Sequence, residues 1–126
     1  RAVADGWHAD GAEGFVYTTD WSGRPVVRDR MHWVVAEAIG AAAALFRRTG
    51  DHEYAAQYAR YWDYVERYVL DHEHGSWHHQ LDPQNSPSAT VWPGKADLYH
   101  AAQATLIPGL PLAPSLATSL DLRLQA

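Results

Sequence analysis

Residues 29–51, DRMHWVVAEAIGAAAALFRRTGD, decide how the rest of the chain is read. Within them Trp33, Ala36, Ile39, Gly40, Ala43 and Phe46 recur at steps of three and four, the spacing of one helix face, and alanine fills the positions between. The pattern predicts a helix from about Asp29 to Thr49. Gly50 stands where a helix closes on a left-handed residue, behind Arg47 and Arg48, whose charges suit the negative end of the helix dipole. Asp51 then caps a second helix reaching about Leu70, with a stripe of Tyr54, Tyr58, Tyr61, Trp62, Val65 and Val69. The short link Thr49-Gly50-Asp51 forces the two helices antiparallel.

Outward from this pair the chain alternates between long loops and shorter helices. Residues 1–29 are rich in Gly and Asp; Gly14 to Thr19 and Pro25 to Val27 read as a short β-hairpin inside a loop. Residues 71–96 form a second long loop. In it Trp77, His79 and Leu81 alternate with His78 and Gln80, which predicts a strand near 76–81 with its two sets on opposite faces. Asp97 opens a third helix with Tyr99 to Leu106 as its body, closed by Pro108 and Gly109, and Ser115 to Leu124 read as a last short helix. The fold class is therefore all-α, with β-decorated loops gathered at one end of helix pairs. That arrangement matches successive turns of an α/α toroid, a ring that three or four helices cannot close.

Bulk properties narrow the function. The 126 residues suit one domain, and 47% hydrophobic with 20% charged residues is a folding composition. A net charge of −5, with no basic stripe, argues against a nucleic-acid partner. Without cysteine there is neither a disulfide framework nor a thiolate metal site, which suits a reducing cytoplasm. The apolar run Ala41 to Phe46 is too short to span a bilayer, and no apolar leader opens the chain, so no membrane association is expected. The chain starts at Arg1 rather than Met, so residues upstream are expected. The 6 Trp, 7 Tyr and 8 His fit a helical core first and a carbohydrate site second.

Three groups of residues carry possible chemistry. Glu37 sits among Val34, Val35, Ala36, Ala38 and Ile39, one turn after Trp33; it is either a solvated surface group or, as Trp33 on the same face favours, buried and paired. His100 follows Asp97 by three residues and Lys95 by five, so a carboxylate and an ammonium lie near an imidazole able to move a proton close to neutral pH. The cluster His72, His74, His78 and His79 offers metal ligands, but no helix holds them at fixed spacing; a loop of solvated histidines is the reading preferred, and no metal is expected.

Four stretches occur in order: Met31 to Ile39, Thr49-Gly50-Asp51, His74-Gly75-Ser76-Trp77, and Gly94 to His100. Together they resemble the N-acylglucosamine 2-epimerase superfamily, nearest its bacterial mannose isomerase branch, over nearly the whole chain. The resemblance implies an (α/α)6 barrel of which residues 1–126 form the C-terminal portion, the N-terminal portion being absent. It implies a monosaccharide substrate, no metal or redox cofactor, and proton transfer through a cis-enediol between D-mannose and D-fructose by two histidines. His100 matches the second histidine, Glu37 the glutamate and Trp33 the tryptophan of a Trp-x-x-x-Glu motif, with Lys95 and Asp97 in support of substrate binding. The first histidine belongs to the N-terminal part. Two alternatives stand: a 2-epimerase acting on N-acylglucosamine or a cellobiose-type disaccharide, or a non-catalytic fragment that self-associates or pairs with the missing part.

Overall fold

In the computed structural model, which describes residues 1–125, half of the chain is helical and the strands are all short. The elements run α1 (Ala2–Gly6), β1 (Thr18–Thr19), β2 (Pro25–Val27), β3 (Arg30–Met31), α2 (His32–Thr49), α3 (His52–Tyr64), β4 (Gln80–Leu81), β5 (Pro87–Ser88), α4 (Leu98–Leu106) and α5 (Leu116–Leu124). The α2–α3 hairpin forms as its spacing predicts. Gly50 adopts φ 73° and returns its N–H to Phe46 O at 2.7 Å, and the Asp51 carboxylate accepts the Glu53 N–H at 3.0 Å. The end of α3 continues as a π-helical segment, Val65–Val69, where the Leu70 N–H reaches back to Val65 O.

The core lies between α2 and α3, with α4 packed on α2. Val35, Ala36, Ile39 and Ala42 meet Tyr61, Tyr64, Val65 and Val69, and Phe15, Trp77, Leu81 and Ala104 close the cluster. Trp7, from the turn after α1, sets its ring 4.9 Å from both Phe15 and Tyr61. Gly40 lets Ile107 approach α2: a Cβ there would meet Ile107 Cδ1 at 3.6 Å.

Two expectations are corrected. Helix α2 begins at His32 rather than Asp29, because Arg30–Met31 pair with Leu81 and Gln80 in an antiparallel sheet completed by β5. The 76–81 strand shrinks to Gln80–Leu81, flanked by isolated bridges at Trp77 and His78, and Gln80 is buried as fully as Leu81. Its amide Nε2 donates to Asp29 and Thr90, while Oε1 accepts the N–H groups of Val91 and Trp92, so burial leaves nothing unpaired. The loops carry the expected β decoration: β1 pairs with β2 as the hairpin reading predicts, and a second sheet joins β3, β4 and β5.

The first loop is anchored by a buried ion pair. Arg30, 3% exposed in its side chain, grips both carboxylate oxygens of Asp10, 2% exposed, at 2.7 and 2.9 Å. Gly14 follows at φ 100°, and a Cβ there would stand 2.6 Å from the Tyr64 hydroxyl. Gly14→Ala is therefore expected to cost about 2–5 kcal/mol, from a left-handed backbone and a clash with a core ring together. Urea unfolding of the variant checks this; an unchanged midpoint would mean that the loop and Tyr64 part freely. Among the described residues, no helix is long and apolar enough to cross a membrane.

Candidate active site

The first turns of α2 and α4 face each other and bring together side chains 63 positions apart. Asp97 is the N-cap of α4, its carboxylate accepting the Tyr99 N–H at 2.9 Å. His100 follows one turn on, and its Nδ1 lies 2.9 Å from Glu37 Oε1 on α2. A carboxylate only accepts, so Nδ1 carries the proton and Nε2 is the nitrogen available for chemistry. The Glu37 side chain is 55% exposed, so the buried reading of it is corrected; it is solvated and paired at once.

Trp33 lies one turn before Glu37, with its ring 6.1 Å from that of His100 and inclined by 34°. Tyr17, from the first loop, packs edge-on against Trp33 at 5.6 Å. Tyr99 flanks His100 at 4.9 Å. The result is a half-buried imidazole between aromatic rings, with a carboxylate holding one nitrogen: a general acid–base arrangement beside an apolar platform.

Asp97 also reaches His32, with 3.7 Å between Oδ2 and Nε2. Burial would raise the Asp97 carboxyl, but the N–H groups of Tyr99 and His100 and the nearby imidazoles outweigh it and hold it below the usual carboxylate range. His32 is the reverse case: burial pushes its pKa below the ordinary imidazole value, and the ring is neutral at neutral pH. Its ring lies 5.8 Å from His100 and 4.8 Å from His79, which in turn stacks on Trp92 at 5.5 Å.

Lys95 is not brought to His100. Its ammonium bonds the Asp71 carboxylate and the Gly75 carbonyl, closing the loop that bears His72 and His74. The Lys95 charge beside Asp71, with the His74 and Glu73 N–H groups, holds that carboxyl well below its usual range. The four loop histidines do not converge either: His72 bonds Glu66 O, and His74 sits 3.4 Å from Asp71, while His79 turns towards His32. Sequence reasoning missed His32, His79 and Trp92 as neighbours of the site. The available signal was the position of His32, immediately before Trp33 at the start of α2.

A sequence profile of the N-acylglucosamine 2-epimerase family matches residues 1–104. The chain is 56% identical over 120 residues to a D-mannose isomerase of Pseudomonas cannabina pv. alisalensis, covering 95% of this chain and 29% of that protein. It is 59% identical to a D-mannose isomerase of Thermobifida fusca, covering 94% and 30%. It thus spans about 30% of the length of these curated relatives. The fold superposes on a crystal structure of D-mannose isomerase with a TM-score of 0.72 at 27% identity, covering 81% of this chain and 26% of the other. A cellobiose 2-epimerase from Spirochaeta thermophila shares the fold with a TM-score of 0.68 at 19% identity, covering 82% and 27%. On a profile match across more than four-fifths of its length and two relatives above half identity, the chain belongs to the N-acylglucosamine 2-epimerase family.

Proposed function

We propose that the protein to which these residues belong is an aldose–ketose isomerase interconverting D-mannose and D-fructose, and that this chain supplies one side of its site within an (α/α)6 barrel. The observation that carries this reading is the 2.9 Å pair of His100 and Glu37 beside Trp33. With Nδ1 tied to Glu37, Nε2 of His100 takes the proton from C2 of the open-chain aldose. The carbonyl oxygen gains a proton as the cis-enediol forms. The O2 hydroxyl then gives up its proton as C1 receives one, and ketose results. Glu37 fixes the tautomer and offsets the imidazolium charge while the ring holds the proton.

Trp33 offers a flat apolar face to the sugar carbons. Asp97 acts by capping α4 and so aiming His100. Lys95 supports the site at one remove, by closing the 71–75 loop. The first histidine and the remaining wall come from the rest of the protein, which covers the faces of α2 and α3 turned away from this core.

The high identity to two proteins named D-mannose isomerase supports the substrate, and a product assay tests it. The full-length protein incubated with D-mannose is expected to release D-fructose as its main product. Glucose without fructose, or turnover only of N-acylglucosamine or cellobiose, would assign it to the 2-epimerases instead.

A further inference from the structure

His32 is sealed into the fold, with no exposed side-chain surface, yet its Nε2 has no hydrogen-bond partner. Nδ1 lies 3.2 Å from the His79 carbonyl, which can only accept, so Nδ1 carries the proton and Nε2 presents a bare lone pair. That lone pair faces Asp97 Oδ2 at 3.7 Å, and a ring nitrogen of His79 completes the group, the three ligand atoms lying within 4.8 Å of one another. A buried acceptor aimed at a carboxylate sets two lone pairs face to face, an arrangement that a cation in the gap would relieve.

We propose that His32, His79 and Asp97 form a binding site for a divalent transition-metal cation of the zinc class, which clamps the start of α2, the approach to β4 and the N-cap of α4 together. Two imidazoles and one carboxylate are the donor set such ions take, with a fourth position left for water. The surroundings of each ligand agree. His32 donates its second nitrogen to a backbone carbonyl, the partner that orients ligating imidazoles. His79 is held by its stack on Trp92, and Trp92 by Gln80. Asp97 keeps one oxygen on the Tyr99 N–H and has the other towards His32.

Ligand atoms around a tetrahedral ion stand about 3.3 Å apart, so the group must tighten on binding. His79 and Asp97 both reach solvent and can move, whereas His32 is fixed. The three segments drawn together include those that carry Trp33, Glu37 and His100. The ion would therefore order the mouth of the site and take no part in the proton transfer.

The test uses full-length protein freed of metal by a chelator and titrated with Zn²⁺ by calorimetry, then with Co²⁺, whose visible absorption reports nitrogen and oxygen ligation. The expected result is one saturable equivalent at this site, a zinc-dependent rise in Tm, and affinity reduced about a hundredfold in both His79→Ala and Asp97→Asn. Both side chains reach solvent, and far-UV circular dichroism confirms that the variants fold. Absence of saturable binding, or binding and Tm shift unchanged in both variants, would overturn the proposal.

Discussion

Replacing His100 by Asn in the full-length protein is expected to lower sugar turnover by about 10²–10⁴-fold, the usual worth of a positioned general acid–base group. The amide of Asn keeps a donor near Glu37 Oε1 and comparable bulk in the first turns of α4, so the fold should survive. What disappears is the only ring in the His100–Glu37 pair able to take up and return a proton. Since the loss falls on the chemical step, kcat should drop with little change in KM. Glu37→Gln retains a hydrogen-bond acceptor for Nδ1 but removes the charge that offsets the imidazolium. It should give a smaller loss of kcat in the same direction. Steady-state kinetics of both variants checks the order; a Glu37→Gln enzyme as impaired as His100→Asn would point to Glu37 itself moving protons.

The largest expected effect on stability lies away from the site, at Asp10. Its carboxylate and the Arg30 guanidinium are both buried, and removing one partner strands the other charge. Asp10→Ala should therefore cost about 3–5 kcal/mol near neutral pH. The acid dependence follows from the direction of the Asp10 shift. Its hydrogen bonds to Arg30 outweigh the opposing effect of burial and, with Arg28 and the Ala12 N–H, hold the folded-state pKa well below the ordinary 3.8. A depressed carboxyl stabilises the fold above its unfolded pKa and loses that contribution as pH falls towards the folded value. The gap between wild type and Asp10→Ala should thus be full near neutrality and narrow below about pH 4. Urea midpoints measured across that range test it; a gap that stays constant into acid would assign the effect to packing rather than charge.

These two residues show unequally legible parts of the sequence. The α2–α3 hairpin could be read because its signals are local: a periodic apolar face, Gly50 to stop one helix and Asp51 to start the next. The three-stranded sheet could not, since its strands are two residues each and β3 finds its partner some fifty positions downstream. Alternation set Gln80 and Leu81 on opposite faces without saying that both are buried, and Gln80 can be because Asp29, Thr90, Val91 and Trp92 satisfy its amide. The five-residue α1 carried no periodic signal at all.

At the site, residue chemistry made His100 and Glu37 plausible, and the ordered motifs made them specific. Neither could say that Glu37 remains half in solvent while bonding a residue 63 positions away. The reading of Lys95 as a neighbour of His100 followed sequence proximity, but the chain turns between them and sends the ammonium to Asp71. His32 stayed unassigned because a histidine at a helix start looks like any other; only its sealed, unpartnered Nε2 distinguishes it.

Proton transfer at C2 by His100 is tested most directly by isotope exchange. Full-length wild type incubated with D-mannose in deuterium oxide should place solvent deuterium at C2 of the aldose and C1 of the ketose, as followed by proton NMR. His100→Asn, folded by circular dichroism, should show no such exchange above the uncatalysed background. Exchange at C2 that continues undiminished in that variant would contradict the assignment of His100 as the proton-transferring residue.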